Sequence, residues 1–116
     1  MSLSKLRGAF GALIATFALL AAAPATFAAT RNYTVTASDG VVLAVQEAGD
    51  PEGSPIIFIH GLLGSRLNWS KQLQDPRLQH YRLITYDLRG HGMSGKPAEA
   101  SSYTDGRRWA DDLAAI

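Results

Sequence analysis

Past residue 31 the apolar positions change period repeatedly, and each change delimits an element. Tyr33-Thr-Val-Thr-Ala37 alternates and is β-branched, the pattern of a half-buried strand. Ser38-Asp39-Gly40 interrupts it with a tight-hairpin signal, and Val41 to Glu47 reads as the return strand. The polar stretch from Gly49 to Pro55 holds Pro51 and Pro55, which exclude regular structure. Ile56 to Ile59 is an unbroken apolar run and predicts a strand buried on both faces. Leu67 to Gln74 predicts a short helix stopped by Asp75-Pro76, and Tyr81 to Tyr86 predicts another buried strand. Tyr103 to Ile116 predicts a helix, with Thr104 as N-cap, Asp105 in the first turn and Trp109, Leu113 and Ile116 as its apolar stripe.

The order is hairpin, strand, helix, strand, helix. A strand–helix–strand unit implies a parallel arrangement with right-handed crossovers, so the fold class is α/β. The closing helix is expected to feed a further parallel strand beyond Ile116, which makes residues 29–116 the amino-terminal part of a larger sheet. Ligands of such sheets bind at the carboxyl ends of the strands. Two glycine-rich loops fall there, His60-Gly-Leu-Leu-Gly64 and Asp87-Leu-Arg-Gly-His-Gly-Met-Ser94.

The first 28 residues have a different character. Lys5 and Arg7 precede an uncharged run rich in Ala, Leu and Phe, followed by Pro24-Ala-Thr-Phe-Ala28. A basic start, an apolar core and small residues describe a secretory signal peptide, cleaved after Ala28 or, as the alternative, Ala25. Residues 8–29 would serve as a membrane anchor if uncleaved, although Pro24 interrupts them and their Ala and Gly make them weakly apolar. The expectation is export to the periplasm or medium, with membrane contact only through the signal peptide. Removing it leaves nine basic residues against ten acidic ones, so the slight positive charge of the 116-residue chain comes from the leader. The remaining basic residues are scattered, apart from Arg107-Arg108, and nucleic-acid binding has no support. With no cysteine, disulfides and thiol lipidation are excluded.

In the first loop, Gly61 and Gly64 permit a sharp turn and leave the Leu62 N–H free to point into a site. An acyl-transfer enzyme needs such donors where negative charge develops on a carbonyl oxygen. Any strand-to-helix loop also uses glycines, so His60-Gly61 alone leaves both readings open. In the second loop, Asp87, Arg89 and Ser94 can hydrogen-bond the exposed backbone of a turn shaped by Gly90, His91 and Gly92. Asp87 with His91 falls short of a metal-ligand set, and no Gly-x-x-x-x-Gly-Lys-Ser/Thr phosphate loop is present. A structural role beside a site fits this loop best.

Together the two loops resemble the α/β-hydrolase family, whose esterase/lipase-like and cofactor-free haloperoxidase-like members are nearest in character. The shared pattern is an apolar strand ending in His60-Gly61, a later Trp69, and a strand ending in Asp-x-Arg-Gly-x-Gly-x-Ser, filled by Asp87, Arg89, Gly90, Gly92 and Ser94. Ser38-Asp39-Gly40 before Val41-Val-Leu43 also resembles the family's amino-terminal hairpin. The resemblance implies a serine hydrolase acting on small ester-type substrates, with no metal or organic cofactor, and the Leu62 N–H as one oxyanion donor. Epoxide hydrolases and haloalkane dehalogenases usually carry proline where Leu63 stands, which counts against them. The nucleophile elbow Gly-x-Ser-x-Gly is absent, and acid and base follow it in the family's order. His60 and His91 are therefore expected to brace their loops and His80 to face solvent, with no nucleophile, acid or base in this chain. The chain alone is expected to be inactive. The alternatives are a non-catalytic binding module of the same fold, a haloperoxidase-, dehalogenase- or epoxide hydrolase-type member, or a chain that truly ends at Ile116 and either exposes the edge of its open sheet or completes it with a partner.

Overall fold

A computed structural model of the chain describes residues 29–116, and the expected signal peptide lies outside the described residues. The strands are β1 (Arg31–Thr36), β2 (Val42–Gly49), β3 (Pro55–Ile59) and β4 (Arg82–Tyr86). They form one sheet in the order β1-β2-β4-β3. The β1–β2 hairpin is antiparallel, β2–β4 is antiparallel and β3–β4 is parallel. The α/β class and the parallel strand–helix–strand unit therefore stand. In register, Val45 of β2 lies opposite Tyr33 on one side and Tyr86 on the other, and Ile59 lies beside Tyr86.

Alternation along the strands sends two apolar sets to opposite faces. Val45, Ile84 and Tyr86 form one cluster, joined by Tyr33, Val35, Leu88 and Ile116. Ala48, Leu73 and Leu83 form the other, joined by Ile56, Phe58, Trp69 and Leu78 from β3 and the crossover. Phe58 and Trp69 stack there with ring centroids 5.2 Å apart. The crossover thus covers one face while the carboxyl-terminal helix covers part of the other.

Several expectations need correction. The segment over 67–74 begins as a 3₁₀ turn, Arg66–Trp69, and becomes helix α1 only over Ser70–Leu73. Its start is fixed by Ser65, whose hydroxyl accepts from the Leu67 N–H while the Asn68 side chain accepts from the Ser65 N–H, a capping box. Asp75-Pro76 does end it, and the Asp75 carboxylate caps the following Pro76–Leu78 turn. The expected helix over 103–116 is two helices, α2 (Ser101–Thr104) and α3 (Gly106–Ala115). Asp105 is extended between them, and its carboxylate accepts from the Arg107 N–H at 2.9 Å. Asp105 is therefore the N-cap in place of Thr104, as expected of a carboxylate facing free helix N–H groups. Leu113 faces outward, and Asp112 takes the inward place between Trp109 and Ile116. Finally, β3 is not buried on both faces in this structure: Ile57 and Ile59 are 38% and 43% exposed, and among the described residues β3 lies at the edge of the sheet.

The buried face also carries a charge that the hydrophobic pattern did not announce. Glu47 on β2 is 2% exposed. Its carboxylate accepts from Arg82 Nε and Nη2 at 2.9 and 3.1 Å, from the Tyr33 hydroxyl at 2.9 Å and from Arg31. The Arg82 hydrogen bonds hold the Glu47 carboxyl below the usual glutamate range, against the opposing effect of burial, and Tyr33 and Arg31 assist. A carboxylate with a lowered folded value adds stability above its unfolded value of 4.5, lost as pH falls through the folded one. Urea unfolding between pH 7 and pH 3 should show stability level above about 4.5 and declining below. Glu47→Gln should cost about 1–3 kcal/mol at neutral pH, a buried-pair penalty discounted for the half-exposed arginines, and flatten that decline.

Candidate active site

Both glycine-rich loops leave the carboxyl ends of the adjacent parallel strands β3 and β4, so they meet above the sheet. The first closes as a β-turn, with the Gly64 N–H donating to the Gly61 carbonyl at 3.0 Å. Positive φ within it falls on Leu63 alone, at 62°, the third turn position, as in a type II turn. That is a correction for Gly61, around which a Cβ would meet nothing within 4 Å. The backbone reversal needed a residue tolerant of left-handed geometry two positions later, where leucine stands under strain. Gly64 is closely approached: a Cβ there would lie 3.0 Å from His60 Nδ1, Asn68 Nδ2 and the Gly61 carbonyl, so these neighbours would have to give way slightly. Leu62 is 86% exposed, and its N–H has no hydrogen-bond partner among the described residues.

His60 is buried beneath this turn at 4% exposure. Its Nδ1 lies 2.8 Å from the Gly61 carbonyl, and its Nε2 accepts from the Leu88 N–H at 3.0 Å, so one ring ties the two loops together. His91 sits edge-on to it with ring centroids 5.1 Å apart, its own Nδ1 3.0 Å from the Arg89 carbonyl. His80 is exposed, away from both.

The second loop is held from within by Asp87, which is fully buried. Its carboxylate accepts from the Arg66 N–H at 2.6 Å, from the Met93 N–H at 2.8 Å and from the Arg66 guanidinium. Gly92 leaves the space this needs: at φ 47° a Cβ would fall 2.3 Å from the Asp87 carboxyl carbon. The Gly90 N–H donates to the Gly95 carbonyl at 2.9 Å. Ser94 Oγ accepts from the Ala44 N–H of β2 at 2.9 Å and donates to the Asp87 carbonyl, pinning the loop to the sheet.

Arg89 is also buried, its side chain 1% exposed. Nε and Nη2 donate to the two Asp112 oxygens at 2.7 and 2.6 Å, and Nη1 donates to Asp39 and to the Ser102 carbonyl, each at 3.0 Å. Asp112, and after it Asp39, raise the Arg89 pKa above arginine's ordinary value in spite of burial. One guanidinium therefore joins the hairpin turn, the second loop and α3.

The alpha/beta hydrolase fold model matches residues 54–115, which runs from the start of β3 to the end of α3 and takes in both loops. The chain belongs to the α/β-hydrolase family. Among solved structures it is similar to a Burkholderia cenocepacia protein provisionally described as an aryl esterase, at 96% identity and TM-score 0.73, over 74% of this chain and 32% of that one. It is also similar to epoxide hydrolase VrEH1 from Vigna radiata, at 30% identity and TM-score 0.66, over 74% of this chain and 27% of that one. A non-heme chloroperoxidase from Streptomyces lividans is 37% identical over 83 residues, 72% of this chain and 29% of that protein. The chain thus spans under a third of the length of these relatives. The curated relatives it matches include proteins of which it spans only 14%.

Within this part of the α/β-hydrolase fold, three residues bear on the loops that sequence reading did not single out. Asp112 was visible in principle, as a charge on the helix face between Trp109 and Ile116. Asp39 was taken for a turn former, because Asp-Gly carries that meaning wherever it occurs. Arg66 gave no signal. Asp112→Ala should leave the buried Arg89 guanidinium with Asp39 as its only carboxylate partner, beside the Ser102 carbonyl, and cost about 3 kcal/mol or more in denaturant unfolding. Leu63→Gly should relieve the left-handed strain with little packing lost, raising stability by about 1 kcal/mol or less; Leu63→Ala should give no such gain.

Proposed function

We propose that the chain is the amino-terminal portion of an exported α/β-hydrolase that cleaves ester-type bonds with a serine nucleophile lying beyond Ile116. The observation that carries this reading is the Leu62 N–H: exposed, without a partner among the described residues, and set on a turn above the carboxyl ends of β3 and β4. That is where an acyl-transfer site needs a fixed donor for developing negative charge. His60, Gly64, Asp87, Arg89, Gly92 and Ser94 hold the turn and its neighbour in place, and none of them takes part in bond making. Nucleophile, acid and base come from the later part of the fold, and residues 1–28 direct export. The 96% identity with the Burkholderia cenocepacia protein supports the ester-bond reading over the other chemistries of the family.

Epoxide opening is the second reading, favoured by the resemblance to the Vigna radiata enzyme. Against it stands the geometry of Leu63. A proline ring fixes φ near −65°, whereas Leu63 is at +62°. The loop here is therefore not the proline-bearing turn usual in epoxide hydrolases.

Hydrolysis of p-nitrophenyl acetate tests the proposal. The 116-residue chain should give no serine-inhibitor-sensitive turnover, and the chain extended through its nucleophile, acid and base should give it. In the extended protein Leu62→Pro removes the N–H at a turn position where proline is favoured. It should lower kcat by roughly 10²–10³-fold while leaving the fold intact by circular dichroism. Turnover unchanged by this substitution would sink the role of Leu62.

A further inference from the structure

We propose that the cavity between Arg31 and Arg82, at the opposite end of the sheet from the two loops, is a binding site for a monocarboxylate with an apolar body. The cavity, about 420 Å³, is lined by Arg31, Tyr33, Glu47, Pro51, Arg82 and Ile116. Arg82 opens β4 and the second loop leaves after Tyr86, so roughly 13 Å of strand separates the two places. The site is independent of the reading of Leu62.

The cavity offers guanidinium donors left over from the Glu47 cluster. A carboxylate has about four lone-pair sites. On Glu47, Oε1 accepts from Arg31 Nη2 and Arg82 Nε, and Oε2 accepts from the Tyr33 hydroxyl and Arg82 Nη2. Its capacity is filled. Nη1 of both arginines and Nε of Arg31 have no partner among the described residues. The positive charge is also the accessible one, since the Arg31 and Arg82 side chains are 56% and 38% exposed and that of Glu47 is 3% exposed. Arg82 holds the Glu47 carboxyl below the usual glutamate range, so at neutral pH two cations meet one anion and the wall keeps a positive charge to spare. Asp50 and Glu52 flank Pro51 in sequence but do not line the cavity, and the Asp50 carboxylate accepts from the Glu52 N–H at 2.9 Å.

The other walls select the rest of the ligand. Tyr33 has given its hydroxyl hydrogen to Glu47, and Pro51 and Ile116 add apolar surface. A planar carboxylate pairs with a guanidinium through two parallel N–H bonds, and a single negative charge balances the one in excess. An apolar body attached to it then covers Tyr33, Pro51 and Ile116, in a volume at the small end of ligand pockets. Inorganic phosphate would satisfy the guanidiniums and leave that apolar surface in water.

Titration of the 116-residue chain with benzoate, at neutral pH and fixed ionic strength and followed by ¹H–¹⁵N spectra, tests the site. The backbone amides of Arg31, Tyr33, Arg82 and Ile116 should shift along one saturating curve, with those of Leu62 and Met93 unmoved. Inorganic phosphate should bind severalfold more weakly, and benzylammonium should not bind. Arg31→Gln should weaken benzoate binding by roughly tenfold or more, whereas Glu47→Gln, which releases the Arg82 donors, should tighten it. A fold merely loosened by these substitutions would move both affinities the same way. If Glu47→Gln does not fold, Arg31→Gln and the order of the three probes still decide. Shifts that fail to saturate or that spread over the chain, phosphate binding as tight as benzoate, or an affinity indifferent to Arg31→Gln each overturn the proposal. So does loss of the shifts in the protein extended beyond Ile116, where the later part of the fold would then fill the cavity. None of these readouts depends on turnover, so failure of this site and failure of the esterase reading are distinguishable.

Discussion

A carboxylate taken out of water must find donors, and one that finds them in otherwise irregular backbone fixes that backbone in place. Asp87 does this at the end of β4. It gathers the Arg66 N–H and guanidinium from the start of the crossover and the Met93 N–H from its own loop. Around it, Ser94 fastens the loop to β2, His60 fastens it to the end of β3, and Arg89 fastens it to α3 and the hairpin turn. The strands fix where the two loops begin, but the loops' shapes are set by this set of buried polar contacts. The space at Gly92 is a consequence: it lacks a side chain because the Asp87 carboxylate stands where a Cβ would be.

The α/β class, the strand positions and the meeting of the two loops were legible because they depend on period and punctuation. Ile56–Ile59 and the 81–86 run have no other sensible reading, and the glycines mark where each strand stops. Errors arose where a short-range signal had two meanings. Thr104 and Asp105 are both capping residues, and which one caps depends on where the chain bends, which one-dimensional spacing does not fix. Leu113 fits the apolar stripe as well as Asp112 spoils it, until a buried guanidinium is known to wait there. Ile57 and Ile59 form a doubly buried pattern, and their exposure reflects which strands lie beside β3 in the described residues, a property of neighbours and not of the run itself. In the site, the glycines and His60 were legible as a motif. The strained Leu63 and the partner Arg66 were not, since neither belongs to a residue class that signals its role.

The apolar surface above the sheet matches the proposal of a larger domain. Leu62, Leu63, Leu67 and Met93 are all exposed on the two loops and the turn between them, and Ile57 and Ile59 on the edge strand beneath. Large side chains grouped in this way usually face a partner surface or a ligand. Under the proposed reading, the later part of the hydrolase fold covers the strand, while the loop residues surround the mouth through which an ester reaches the Leu62 N–H.

The sheet order bears on how such a chain assembles. β2 and β3 are joined by a short loop and are synthesised before β4, so their simplest early partner is each other, as an antiparallel hairpin. In the folded sheet β4 lies between them, antiparallel to one and parallel to the other. Glu47 discriminates between the two pairings. Its carboxylate faces Arg82 of β4, and a β2–β3 hairpin has only Pro55, Ile and Phe to set against it. The misplaced pairing would leave that charge with only Arg31 and Tyr33 of β1 and without the two Arg82 hydrogen bonds, so one acidic residue on β2 favours the distant strand over the near one.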